Sequence, residues 1–202
     1  MTKEQIDRFF QTLAERLEGP ATVILIGAAA GTLWGNVRPS LDVDFAIQLS
    51  GKKPQDWMNV AEAVEQTVRL TGIQANFAED IDRWGMISLM DYRQQTRPYR
   101  RFGSLEVQLL HPVYWAIGKL NRFLVSDIND VVAVFKSQDV SAEEASQVWG
   151  QALKSSPPSA ALLSFRKQVE RFFKEHGRTI WGPSFDAAPA IAVFYRAAGI
   201  RD

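Results

Sequence analysis

Residues 41–49 read Leu-Asp-Val-Asp-Phe-Ala-Ile-Gln-Leu, and that alternation restricts the segment to a strand with one apolar face. Leu41, Val43, Phe45, Ile47 and Leu49 are expected on one side, with Asp42, Asp44 and Gln48 on the other. Two carboxylates two positions apart therefore project from the same face of a rigid support. Like charges held that way repel unless a cation lies between them. Ligation by one or two carboxylates plus substrate phosphates is what magnesium accepts. The plainer alternative is that Asp42 and Asp44 line the solvated side of an amphipathic strand.

The preceding residues bear on that choice. Thr22-Val23-Ile24-Leu25-Ile26 is a β-branched run ending at Gly27, which predicts a buried strand. Ala28 to Trp34 reads as a short helix closed by Gly35-Asn36. Backbone N–H groups following Gly27 would then stand at a helix start, a natural cradle for phosphate. Arg38-Pro39-Ser40 leads into the aspartate strand.

Elsewhere, Ile6, Phe9, Phe10, Leu13 and Leu17 recur at helical spacing, predicting a helix over residues 2–18 that Gly19-Pro20 stops. A helix is expected over 55–70, and strands over 72–78, 85–90 and 105–110. The arginine-rich stretch from Asp91 to Arg101 reads as a polar connection. From Pro112 onward only helices are expected, over about 113–125, 127–137, 142–153, 159–175 and 187–198. His111 is read as structural at a strand exit and His176 as lying at a helix end. A mixed first part followed by an all-helical one predicts an α+β fold. We place an α/β core at residues 1–112 and a helical C-terminal region, packed on the core, at 113–202.

Composition removes several classes of function. The 202 residues contain no cysteine, which excludes disulfides, thiolate catalysis and zinc–thiolate sites, and only two histidines. Lys+Arg and Asp+Glu both number 23, so no overall field draws the chain to nucleic acid or to an anionic membrane. The N-terminus lacks a signal-peptide core, and no apolar run approaches the roughly 20 residues that span a bilayer. A cytoplasmic protein without membrane contact is expected.

The segment Gly27 to Ile47 resembles the nucleotidyltransferase superfamily, the polymerase-beta-like fold, in its order of strand, glycine, short helix and Asp-x-Asp strand. Within it, Arg38-Pro39-Ser40-Leu41-Asp42-Val43-Asp44-Phe45 looks most like the abortive-infection-type branch and related bacterial proteins. A second likeness is the run from His111 to Leu120 with Lys119, followed by Arg122, Asp127 and Asp130. The resemblance covers about residues 20–137. Two positions depart from it. Ala28 follows Gly27 where the family has Gly or Ser, supplying an N–H but no hydroxyl, and Ser126 stands where many relatives have arginine.

The resemblance implies a mixed-sheet nucleotidyltransferase core flanked by helices, with a C-terminal helical extension. It implies a magnesium ion, or manganese in its place, on Asp42 and Asp44, with a third carboxylate on a later strand. Glu106, between Leu105 and Val107, fits that third place, and Asp91 is its rival. Gly27, Ala28, Arg38, Ser40 and Lys119 would contact the nucleotide, Lys119 as a point charge on phosphate. Arg122, Asp127 and Asp130 would stand near the site mouth or cap the next helix. The implied activity is transfer of a nucleotidyl group from a nucleoside triphosphate such as ATP to a hydroxyl on protein, RNA or a small molecule. The branch includes toxins of toxin–antitoxin pairs, which would add a partner protein. Ala28 and Ser126 support an alternative, a catalytically inactive nucleotidyltransferase fold acting as a binding or partner-interaction module. A further alternative is a helical interaction protein in which residues 138–202 do the work.

Overall fold

Thr2 opens the first helix with a reciprocal cap: the Gln5 N–H donates to Thr2 Oγ1 at 3.3 Å and the Thr2 N–H to Gln5 Oε1 at 2.7 Å. The computed structural model describes residues 1–35, 39–49 and 54–200. Arg38, expected at the nucleotide, lies outside them. Among the described residues the fold is α+β, with eight α-helices and one five-stranded mixed sheet. The elements are α1 (Lys3–Ala14), β1 (Ala21–Ile26), α2 (Gly27–Trp34), β2 (Asp42–Leu49), α3 (Pro54–Thr71), β3 (Gln74–Ala78), β4 (Thr96–Phe102), β5 (Leu105–Leu110), α4 (Pro112–Arg122), α5 (Val125–Ser137), α6 (Ala142–Ser155), α7 (Ala160–Trp181) and α8 (Ala187–Ala198).

The chain divides into two compact units. The first holds residues 1–33, 95–110 and those described between 39 and 81; the second holds 34–35, 82–94 and 111–200.

In the first unit the sheet order is β3-β2-β1-β5-β4. β1 pairs antiparallel with β2 and parallel with β5, while β2 and β3 are parallel, joined through α3. One sheet face carries Val23, Leu25, Val43, Phe45, Ile47, Leu105 and Val107, all buried. Against it lie Ile6, Phe9, Phe10 and Leu13 of α1, with Phe45 edge-on to Phe9 and Phe10 at 6.2 and 5.8 Å between ring centres. Phe77 of β3 stacks on Phe45 at 5.9 Å and meets Trp57 of α3 at 5.6 Å. Phe9, Phe10 and Phe45, fully buried, each contribute about 1.5–3 kcal/mol by leaving water. The register then places Thr22, Ile24, Ile26, Asp42, Asp44, Gln48, Asn76, Glu106 and Gln108 on the other face.

Leu41 departs from the expected alternation: it precedes β2 and is 90% exposed. β1 gives way to α2 after Ile26, opposite Asp44, and β3 reaches back only to Asp42, so neither neighbour extends a ladder to Leu41.

Two segments exchange roles relative to expectation. Residues 85–90 form no strand, because side chains take their backbone donors. Asp82 accepts from the Leu89 N–H, Ser156 Oγ accepts from the Ser88 N–H at 2.8 Å, and Met90 adopts a left-handed φ of 52°. The arginine-rich stretch instead supplies β4. It pairs with β5 through a tight Gly103-Ser104 turn, with Gly103 at φ 55°. As an edge strand it tolerates Pro98, where the register slips by one residue.

The second unit is helical around Phe135, Trp149, Phe172, Phe173 and Trp181; the Trp149 ring lies 5.8 Å from Phe135 and 5.6 Å from Phe172. Its indole N–H donates to the Val113 carbonyl at 3.0 Å. Gly150 brings α6 close to α8, since a Cβ there would sit 2.5 Å from the Phe194 carbonyl oxygen. α7 continues through His176 to Trp181, so His176 lies inside the helix, not at its end, 5.7 Å from the Phe172 ring. Gly177 lets the Phe185 ring pack directly on the helix: a Cβ on it would meet that ring at 2.2 Å.

Candidate functional site

Asp42 and Asp44 stand at the start of β2, half-buried, and their carboxylates converge on one amide. Asn76 Nδ2 donates to Asp42 Oδ2 at 3.1 Å and to Asp44 Oδ1 at 2.8 Å. Asn76 is directly opposite Asp44 in the parallel β2–β3 pair, which puts both side chains on the same face. On the other flank Asp44 is opposite Ile26, one residue before Gly27. Gly27 has φ 64°, and a Cβ on it would fall 2.0 Å from Asp44 Oδ2. The carboxylate thus fills the space a side chain would need, and α2 starts at that point. Past Gly27, helical geometry gives the N–H of Ala28 no acceptor inside the helix and sets it at the positive end of the helix dipole.

Ser40 is buried and donates from Oγ to the Asp42 carbonyl at 2.7 Å and to its Oδ1 at 3.3 Å. Its single hydroxyl proton is directed at Asp42, where it fixes the entry to β2. Two carboxylates beside a helix start form a donor set that fits a magnesium–phosphate complex: hard oxygens for the cation, N–H groups for the anion.

Glu106 is not brought to that pair. It shares their sheet face but is paired with Thr22, four residues before Ile26, the partner of Asp44. At about 3.3 Å per residue the offset is about 13 Å along the strand, with β1 lying between. Glu106 Oε1 accepts from Gln108 Nε2 at 2.8 Å, Gln108 Oε1 accepts from Thr96 Oγ1 at 2.6 Å, and Arg101 Nη2 lies 3.7 Å from Glu106 Oε2. Buried Leu110 follows Leu109, the partner of Leu25, and so occupies the level nearest Asp44 on β5. Asp91 belongs to the second unit, in the turn before Tyr92–Gln94. Among the described residues no group of three Asp, Glu, His or Cys side chains is arranged to hold a metal.

In the second unit, Lys119 of α4 is 2% exposed and donates to Asp127 Oδ1 at 3.1 Å and Asp130 Oδ2 at 2.6 Å. Arg122 Nε and Nη2 donate to Asp127 Oδ2 and Oδ1 at 2.9 and 3.0 Å. The Lys119 ammonium also lies 5.1 Å from the Trp115 ring centre. Burial pushes the Asp127 carboxyl up, but the Arg122 hydrogen bonds and the Lys119 charge outweigh it and hold the group below its ordinary value. Asp127 is the third residue of α5, and Leu124 holds the cap position. All four residues thus join α4 to α5, with the lysine charge balanced inside the unit.

The arginine-rich strand β4 is at the far edge of the sheet from β3. Tyr99 O–H and Arg100 Nη1 both donate to Asp7 of α1, at 2.7 and 2.6 Å. Burial beside Asp7 raises the Tyr99 hydroxyl well above its ordinary value. Tyr99 and Arg100 therefore face α1, away from the face of the aspartates.

Asn76 is the residue that sequence reasoning passed over. Gln74-Ala75-Asn76-Phe77 shows only a polar position in a short strand, and its place beside Asp44 depends on the β2–β3 register. No protein-family model, curated protein or solved structure gives a significant match to this chain. Among the described residues no helix is long and apolar enough to cross a membrane.

Proposed function

We propose that the protein is a cytoplasmic nucleotidyltransferase that binds a nucleoside triphosphate as its magnesium complex. The observation that carries this reading is the close approach of Asp44 to Gly27, which sets a carboxylate pair beside the N–H groups that open α2. Asp42 and Asp44 would hold the magnesium, or manganese in its place, and the start of α2 at Gly27 and Ala28 would take the phosphates. The bound ion would neutralise the triphosphate and draw charge from the leaving group. In the transfer, a hydroxyl oxygen of protein, RNA or a small molecule bonds to the α-phosphorus. The α–β phosphoanhydride bond breaks, pyrophosphate leaves, and the hydroxyl proton passes to solvent or a base supplied with the acceptor.

A second reading is a module that binds the magnesium nucleotide, or a partner protein, without transfer. It is favoured by the offset of Glu106, which is paired with Thr22, four residues from Ile26, the partner of Asp44. Label transfer separates the two. With α-labelled nucleoside triphosphates and a cell lysate as acceptor pool, the enzyme reading expects labelled product that Asp44→Ala abolishes. Calorimetric binding of Mg·ATP without any labelled product, in magnesium and in manganese, would leave the binding module. No Mg·ATP binding at all would overturn both as nucleotide readings.

A further inference from the structure

We infer that Asn76 is the third oxygen ligand of the Asp42–Asp44 cation site, and that its amide turns over when the ion enters. The inference rests on the cation-binding part of the proposed function and goes beyond it by fixing the ligand set and the number of ions. The Asn76 NH₂ group lies between the carboxylates, 3.1 Å from Asp42 Oδ2 and 2.8 Å from Asp44 Oδ1. That orientation follows from chemistry: ionised carboxylates only accept, so the donor end of the amide must face them. A cation placed there reverses the requirement. Half a turn about the terminal torsion, which is broad and two-fold for asparagine, presents Oδ1 in place of Nδ2. A side-chain carbonyl is a hard neutral oxygen of the kind that magnesium and calcium accept. Asn76 is exposed on an edge strand, so the turn displaces no packed neighbour.

Charge then determines the stoichiometry. Without nucleotide, two aspartates and a neutral amide present two negative charges, balanced by one divalent ion. The site takes a single cation, and the role of the amide is to quench carboxylate repulsion before the ion arrives.

The test uses the full chain and Mn²⁺ as probe, read by electron paramagnetic resonance without nucleotide and again with ATP. Wild type is expected to take up one ion. Asn76→Ala should weaken uptake by about tenfold, the lower end of losses seen when metal-supporting groups are removed. Asn76→Asp, which restores an oxygen and adds charge, should tighten it. Alanine binding as tightly as wild type, or more tightly, overturns the inference, because the amide would then only compete with the ion. Two ions in wild type without nucleotide also overturn it. Should Asn76→Ala fail to fold by circular dichroism, the NH₂ resonances of Asn76 in wild type decide. They should shift on saturation with Mg²⁺, and unmoved resonances reject the turn. Mg·ATP calorimetry separates the two ideas. Mn²⁺ uptake that depends on Asn76 without ATP binding keeps the ligand assignment and removes the nucleotide reading. ATP binding with Mn²⁺ uptake indifferent to Asn76 does the reverse. A wild type that takes up no Mn²⁺, with ATP or without, overturns the ligand assignment.

Discussion

Asp44 and Gly27 share one volume: the Asp44 Oδ2 atom lies 2.0 Å from where a Cβ on Gly27 would be built. The glycine, at φ 64°, is there for two independent reasons, its left-handed backbone and the carboxylate against its Cα.

Gly27→Ala should therefore damage the site more than the fold. The strained backbone costs roughly 1–3 kcal/mol, and the methyl group must displace the Asp44 carboxylate. Expected outcomes are a modest loss in denaturant midpoint and at least about a tenfold loss of Mg·ATP affinity, 1.4 kcal/mol per decade. Wild-type affinity in a folded Gly27→Ala would remove the link between this contact and binding.

Glu106→Gln makes the opposite prediction. With Glu106 paired to Thr22, four residues short of Ile26, its charge is remote from any ion on Asp42 and Asp44. Calorimetry should find Mg·ATP affinity within about twofold of wild type, a change of roughly 0.4 kcal/mol. A tenfold loss would mean that Glu106 reaches the ion, and the strand-offset argument would be wrong.

Lys119→Met tests structure against ligand contact. Removing the ammonium leaves Asp127 and Asp130 buried beside each other, with Arg122 still on Asp127. Breaking a buried pair in this way costs about 3–5 kcal/mol, to be read from urea unfolding. A variant of unchanged stability that has lost Mg·ATP binding would instead place the lysine charge on phosphate.

The depressed Asp127 carboxyl gives a pH dependence of defined sign. Its folded value lies below its unfolded value of about 3.9. Its stabilisation is therefore complete above pH 4, and it is lost as pH falls toward the folded value. Urea unfolding from pH 6 to pH 2 should show stability falling with acid below about pH 4. Asp127→Asn should be less stable at pH 6 and should show a shallower acid decline. An acid decline as steep as that of wild type would assign the effect to other carboxylates.

Hydrophobic period and punctuation were enough to identify most of the elements. The alternation of Val43, Phe45, Ile47 and Leu49, the helix spacing of Ile6, Phe9, Phe10 and Leu13, and the Gly27 break are local properties of the chain, and the α+β class follows from them. The same alternation sufficed to put Asp42 and Asp44 on one face. Where local pattern failed, a hydrogen-bonding partner outside the segment had prevailed. Residues 85–90 look like a strand, but Asp82 and Ser156 take their donors. β4 looks like a loop, but β5 offers it an edge that tolerates arginine and proline. The site divides along the same line. A period of two tells which face a carboxylate takes, whereas strand register tells what stands beside it. Register is set by pairing between separate segments, from 18 residues apart for Ile26 and Asp44 to 84 for Thr22 and Glu106, so only the folded sheet sets Asn76 against Asp44, offsets Glu106 by four residues along β1, and presses Asp44 onto Gly27.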